Sequence, residues 1–476
     1  MDNFTRLPTH RPLLARWISV LAISLGAVCS TCASSAAAFT EIPAAREFGV
    51  SQEITTLAVA LFVFGLGLGP LISGPLSDVI GRRAVYLLSF SLFFALSWPV
   101  AFAPDIAVFL VFRFLTGFCA SAFLSVAGGS VSDMFTNDEI STPLAVYTIA
   151  PFLSPELGPL YSGFVNQHIN WRYTFHILTI FSFVTLIFLW LFVPESYVPV
   201  LLRQKVQEIR KKTKDANYYA PGVRDGPTFR QRLWKSLTTP FLIFIYEPMA
   251  LLIGIWDSLI LGIIYISFQA FPIVFRDAHG FSIQFVGLTF LGIMVGILGG
   301  LASQPLWNRF YKRRQEALDA TDPPPELRLI VGQVGGVCAA ASLFWLTFTT
   351  YRSVHWIVPI IASVPFGTSV YFIFTSSFTY LIIAYRPVAA SALAGNASMR
   401  SMFAAGCSLY ANAMFARLGT VGAMALLAGL TTLMVPLPFI FYRYGARFRA
   451  KSRFATPDAK APGPKGAEMA MPPMTM

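Results

Sequence analysis

Two ionisable side chains stand inside long apolar runs: Arg113, in Arg113-Phe-Leu-Thr-Gly117, and Glu156, in Ala150-Pro-Phe-Leu-Ser-Pro-Glu-Leu-Gly-Pro-Leu-Tyr-Ser-Gly163. A carboxylic acid can release its proton whereas a guanidinium keeps its charge, so the two make a pair whose attraction one proton switches. At mid-bilayer a charge costs roughly 2.5 to 3.5 kcal/mol on insertion scales, so such residues are tied to partners or used. Proton coupling is one reading of Arg113 and Glu156. A structural arginine held by backbone carbonyls, or by Glu156 itself, is the other. Pro151, Pro155 and Pro159 surround the acid, and each removes a backbone donor and bends the helix. Lipid does not tolerate the carbonyls so freed, which places this helix among others and gives its bend a purpose.

Further polar and aromatic residues at mid-depth of apolar runs are candidates to line a cavity beside Glu156: Trp256, Asp257, Tyr265, Gln269, Tyr371, Asn396 and Arg400. An aromatic-lined space with few charges suits flat or amphiphilic organic molecules. Taken singly, each of these residues also fits ordinary helix packing. The sequence holds no full catalytic triad, metal-ligand cluster or phosphate loop, so no enzyme activity, metal or cofactor is expected. Cys29, Cys32, Cys119, Cys338 and Cys407 all lie in apolar runs and indicate no disulfide framework. The Cys29-Ser-Thr-Cys32 spacing reads as small residues lining a helix.

The elements that position these residues follow from composition. Of 476 residues, 55% are hydrophobic and 12% charged, against about 25% charged in a soluble domain; mean hydropathy is +0.63. The chain is therefore a membrane protein. Its net charge of +12 comes from short basic clusters between apolar runs, the pattern of membrane loops and not of a nucleic-acid surface. Runs long enough to cross ~30 Å of hydrocarbon lie near 17–39, 55–76, 84–103, 106–131, 143–165 and 172–193. Six more follow near 241–273, 282–304, 329–350, 354–384, 389–415 and 419–442. The first resembles a signal peptide in its basic flank, but its length marks an uncleaved helix.

Twelve crossings put both ends of the chain on one side. That side holds Arg82, Arg83, the group from Arg203 to Lys235, Arg309 to Arg314, Arg328, Arg386 and the tail from Arg443 to Lys465. The other side holds Arg46, Arg172, Arg276, Arg352 and Arg417. The asymmetry predicts cytoplasmic termini. The domain reading is a cytoplasmic segment 1–16, a six-helix bundle 17–193, a cytoplasmic linker 194–240 and a second bundle 241–442. A tail over 443–476 is basic at first and expected to be disordered after Phe454. The linker starts with an amphipathic stretch, Val200 to Ile209, suited to an anionic leaflet surface. Of two glycosylation matches, Asn3-Phe-Thr5 falls on the cytoplasmic side and Asn396-Ala-Ser398 inside a helix, so neither is a modification site.

After the second run comes Gly74-Pro-Leu-Ser-Asp78-Val-Ile-Gly81-Arg82-Arg83, and after the eighth a degraded copy, Pro305-Leu-Trp-Asn308-Arg-Phe-Tyr-Lys-Arg-Arg314. Glycine allows the tight turn, and Asp78 can face the positive N-terminal end of a neighbouring helix. Repeated six-helix units are a transporter architecture with the substrate near the midplane between them.

The ordered Gly, Asp, Gly, Arg, Arg loop resembles the signature loop of the major facilitator superfamily. Arg113 to Gly117 is similar to that family's second motif, whose arginine is implicated in proton coupling. Asp133 to Glu139 resembles the acidic partner of the signature loop, although Ile140-Ser141 stands where an Arg-Gly pair is usual, which implies a thinner charge network. The stretch with Pro151, Pro155, Gly158, Pro159 and Gly163 resembles the antiporter motif of the drug:proton antiporter branch with twelve spans, and with Asn170-Trp-Arg172 and Pro194-Glu-Ser-Tyr197 it is close to the fungal form. Gln269 departs from fungal relatives that often carry an acid there, while Asp257 keeps a cationic substrate open.

The resemblance implies an all-α protein of two pseudo-symmetric six-helix bundles about a cavity that opens alternately to either side. The implied activity is proton-coupled export of a small organic molecule, a fungal secondary metabolite or a xenobiotic, with the proton gradient in place of a cofactor. A polyamine or organic-cation exporter, an importer and a non-transporting sensor of the same fold are the alternatives. A monomer in the plasma membrane, or next the vacuolar membrane, is expected. Gly292, Gly296 and Gly300 share one helix face. In this family the fifth and eighth helices meet across the bundles, so that face is a candidate rail for Pro159 and Gly163, with packing inside one bundle as the alternative.

Overall fold

A computed structural model describes residue 8 and residues 11–136, 139–213, 229–317 and 324–455. The described residues are helical with no strand, as lipid demands of a chain whose backbone must satisfy itself. Ten stretches are long and apolar enough to cross a membrane: Leu13–Phe48, Gln52–Ile80, Arg82–Ala101, Ile106–Met134, Arg172–Phe192, Pro248–Ala278, Ile283–Glu316, Pro325–Phe348, Ile357–Ala384 and Ala389–Ala450. The helix Ser141–His168, less apolar because of its prolines and serines, fits between the fourth and the next. The last stretch is two helices joined at Gly419, whose φ of 69° and ψ of 169° break the helix; a positive φ is open to glycine without steric cost. Twelve spans result among the described residues, numbered here in chain order.

The spans form two groups of six. The first packs on the fifth and sixth, the third on the fourth and sixth, the seventh on the eleventh, and the tenth on the eighth and ninth. Between the groups, the second span meets the eleventh and the fifth meets the eighth. Exchanging the halves turns one seam into the other, the pseudo-symmetry expected of repeated bundles. The molecule thus has a basic face, where the first span begins and the twelfth ends, and an opposite face.

The linker differs from its expected extent. Helix Val198–Thr213 holds the amphipathic stretch, residues 214–228 lie outside the described residues, and a second helix, Phe229–Tyr246, follows. The seventh span begins only at Pro248, because Glu247 takes a non-helical conformation with φ −116° and ψ 88°. A residue before proline is pushed out of the α region. Residues 241–246, expected in the seventh span, therefore belong to the linker helix, which packs on the second span's basic end and on the eleventh. Most of the segment 1–16, with Asn3 to Thr5, and the tail from residue 456 lie outside the described residues. Asn396, of the other glycosylation match, is 1% exposed inside a helix.

The expectation that the basic face is cytoplasmic yields a test. A glycosylation acceptor cassette inserted after Arg352 should be modified in a yeast expression host, and one appended after Phe454 should not. Modification of the terminal cassette, read as a gel shift removed by endoglycosidase, would reverse the topology.

Candidate functional site

At the basic face, the signature loop is knotted to the end of its own bundle. Gly81 has φ 102°, and the turn it makes brings Arg82 Nη1 to Asp78 Oδ1 at 2.8 Å and Nε to Asp133 Oδ2 at 3.4 Å. Arg82 also donates to the Ser77 hydroxyl, and its guanidinium lies 4.7 Å from the centre of the Tyr197 ring. Asp78 was expected at a helix N-terminus. Glu195 holds that place instead, accepting from the backbone N–H of Arg82 at 2.9 Å and of Arg83 at 3.2 Å, because Arg82 reaches back one turn and occupies Asp78. Glu139 binds Arg16 at 2.8 Å. The second bundle has its counterpart: Arg449 makes a bidentate pair with Glu326 at 2.7 and 3.0 Å. Each bundle thus ties the start of its third helix to the end of its sixth.

Arg113 is 2% exposed and donates from Nε to the Ala58 carbonyl at 2.9 Å and from Nη1 to the Ala33 carbonyl at 3.0 Å. Its guanidinium lies 4.3 Å from the centre of the Phe62 ring, and a small cavity lined by Ala33, Phe62, Ser97, Thr116 and Phe175 adjoins it. These partners all belong to the first bundle. Among the described residues no ion pair joins Arg113 to Glu156, so in this conformation the arginine is anchored by carbonyls. Glu156 is 1% exposed and neither of its oxygens has a hydrogen-bond partner.

The fifth span lies along the first, with hydrogen bonds between the hydroxyls of Thr31 and Ser154 and from Ser162 to the Ala36 carbonyl at 2.9 Å. Across the seam, the Tyr265 hydroxyl of the seventh span meets Ser34 Oγ of the first at 2.7 Å. That phenol is within electrostatic reach of Glu156, Arg113 and Arg400, so it links the charges of both bundles. Gln269 lies one turn further along the same helix, on the same face, with both amide atoms buried and unpartnered.

Asp257 is fully buried and accepts from Ser377 Oγ at 2.8 Å and Asn396 Nδ2 at 2.9 Å. Arg400, 4% exposed, lies within its field and has Nε and Nη1 unpartnered. Three rings surround that guanidinium: Phe152 of the fifth span at 5.1 Å, with Phe374 at 5.5 Å and Phe378 at 5.1 Å from the tenth. Phe152 and Phe374 stack across the seam at 3.9 Å between centroids. One ring from the first bundle and two from the second thus close over Arg400.

Two cavity candidates sit elsewhere. The Trp256 ring packs over Gly332 and Gly336 of the ninth span, and Tyr371 donates to Gln304 Oε1 at 3.0 Å while lying against Gly300; both are inside the second bundle. The glycine rail is also elsewhere. Gly292, Gly296 and Gly300 face the tenth span at Ser363, Val364 and Tyr371, which is packing within one bundle. The fifth span meets Gly287 instead: a Cβ there would fall 2.6 Å from the Pro159 carbonyl oxygen, and one on Gly163 would fall 2.9 Å from that of Ile283. His168 Nε2 and Gln284 Oε1 close the same seam at 2.8 Å.

The sequence profile of the Major Facilitator Superfamily matches residues 23–411. The chain is 46% identical over 397 residues to the efflux pump atB of Aspergillus terreus, covering 82% of this chain and 83% of that protein. It is 37% identical over 446 residues to the efflux pump FUBT of Fusarium oxysporum, covering 93% and 75%. To the probable drug/proton antiporter YHK8 of Saccharomyces cerevisiae it is 37% identical over 415 residues, covering 87% and 80%. Among solved structures it resembles the proton:xylose symporter XylE, with TM-score 0.62 and 14% identity over 90% of this chain and 96% of that one. The human organic anion transporter MFSD10 gives TM-score 0.60 and 16% identity, covering 90% and 100%. Both likenesses are of fold.

The Gly287 contact yields a test. In Gly287→Leu the fifth and eighth spans must part, because the atoms opposed to the new side chain are backbone. A cysteine at Leu160 should then react with an impermeant maleimide from outside the cell at least about tenfold faster than in the Gly287 background; an unchanged rate would show that this contact does not seal the opposite face.

Proposed function

The chain belongs to the major facilitator superfamily, a transporter and not an enzyme family, and on that premise we propose that it exports a small organic molecule in exchange for protons. It does so by parting its bundles alternately toward each face. Relatives named as efflux pumps and a drug/proton antiporter support the direction and the coupling.

One observation carries the mechanism: Glu156 is buried at the seam with both oxygens unpartnered. A bare carboxylate so placed costs several kcal/mol, and a proton removes that cost. Asp257 and Arg400 lie in each other's field, whereas Glu156 is held by no hydrogen bond, so its proton changes the net charge of the seam by one. With its proton, Glu156 lets the empty carrier close and return. Without it, the seam closes only when cargo supplies a hydrogen-bond donor or a positive charge to the acid. Proton and cargo thus take turns on one group, which is antiport. Phe152, Phe374 and Phe378 give the apolar body of the cargo a surface once the seam opens. Arg113, fixed by the Ala33 and Ala58 carbonyls, supplies a constant positive field toward Tyr265.

The cargo is a secondary metabolite or xenobiotic. An organic cation is the second reading, favoured because an ammonium replaces the proton on Glu156 charge for charge. The protein acts as a monomer in the plasma membrane, consistent with a seam built by one chain.

The test uses a yeast strain stripped of its own efflux pumps and a panel of aromatic toxicants, neutral and cationic. Wild type should lower accumulation of at least one compound, with the effect lost when an uncoupler collapses the proton gradient. Glu156→Gln at equal membrane abundance should reduce that efflux about tenfold or more. Equal efflux with the same pH dependence would remove Glu156 from the coupling.

A further inference from the structure

A second site lies far from the seam, at the lipid-facing edge of the basic face. There the first and sixth spans leave between them a cleft of about 230 Å³. Arg11 and Arg83 stand at its mouth, and Ala15, Ile18, Leu191 and Phe192 form its walls. Arg83 is held in place by donation from Nη2 to the Trp190 carbonyl at 3.0 Å. Among the described residues neither guanidinium pairs with a carboxylate side chain, and burial followed by the like charge of Arg83 pushes Arg11 below its ordinary value. Among the described residues, then, two like charges converge on the cleft and no carboxylate lines it. Around it the surface is apolar and exposed, with Leu14 72%, Trp190 61% and Leu191 57% exposed, as befits contact with acyl chains.

We propose that this cleft binds the headgroup phosphate of an anionic phospholipid, whose acyl chain follows the apolar wall between the first and sixth spans. The chemistry is a phosphate shared by two guanidinium forks, the geometry arginine suits better than lysine, at a depth where the headgroups of a leaflet lie. Basic pockets between spans on the cytoplasmic side meet the anionic leaflet there. Arg83 also donates its backbone N–H to Glu195, so a bound lipid touches the knot that ties the signature loop to the sixth span. Lipid occupancy therefore steadies that end of the first bundle. Its assignment to the cytoplasmic leaflet rests on the topology proposed above; binding itself does not.

The experiment is native mass spectrometry of the full chain in detergent, titrated with palmitoyl-oleoyl phosphatidylserine, with the matching phosphatidylcholine, and with sodium phosphate. One phosphatidylserine should be retained in preference to phosphatidylcholine, and millimolar inorganic phosphate should not displace it. Arg11→Gln should weaken retention about fivefold, the effect of removing one surface charge near an anionic lipid. Ala15→Phe, which fills the cleft and keeps both arginines, should weaken it as well. Equal retention of the two lipids, or undiminished retention in Arg11→Gln, would overturn the proposal. Full displacement by inorganic phosphate, or no effect of Ala15→Phe, would make this a free-anion site and overturn its assignment to lipid.

Discussion

A polar group in a lipid interior must find its partner inside the protein, and the placement of nearly every charge here follows from that constraint. Arg113 is held through Nε and Nη1 by carbonyls of the first and second spans, Asp257 by a serine and an asparagine, and Arg82 by two aspartates. Glu156 has no such partner, and it sits where the two bundles meet. A rigid structure would have little reason to hold a bare acid at a seam. A seam that opens has one, because the partner can be transient: a proton in one half of a cycle and cargo in the other.

The rest of the architecture keeps that seam smooth and each bundle stiff. Gly163 and Gly287 let two helix backbones touch on the opposite face, leaving few interlocked side chains to separate. Within each bundle, carboxylate links between the start of the third helix and the end of the sixth hold the basic end together: Glu195 on Arg82 and Arg83, and Glu326 on Arg449. Motion is therefore concentrated between bundles. The tyrosine-to-serine bond between Tyr265 and Ser34 and the stack of Phe152 on Phe374 are contacts a parting seam would break.

What the sequence made legible was what hydropathy and local spacing control. Span positions follow from apolar length, and the tight turn at Gly81 follows from glycine's freedom at positive φ. Which residues of distant helices face each other was not legible. Gly292, Gly296 and Gly300 and the single Gly287 look alike as glycines in an apolar run, and only the rotation of the eighth span decides which faces Pro159. Phe152 lay inside the stretch around Glu156 yet carries no polar signal to mark it as the ring that covers Arg400. The seventh span started late because one residue, Glu247, is bent by the proline after it, a local effect that a hydropathy window smooths away. Depth alone leaves Arg113 either a partner of Glu156 or an arginine tied to carbonyls; depth does not fix azimuth, and here the carbonyls of Ala33 and Ala58 hold it.

The central claim is that the proton on Glu156 sets which arrangement of the bundles is stable. Pulsed electron paramagnetic resonance between spin labels at Asn170 and Asp277, both exposed on the opposite face in different bundles, measures that directly in lipid nanodiscs. Wild type should shift from a longer to a shorter distance as pH falls, and Glu156→Gln should give the short distance at every pH. A Glu156→Gln protein whose distances still follow pH as wild type does would contradict the account.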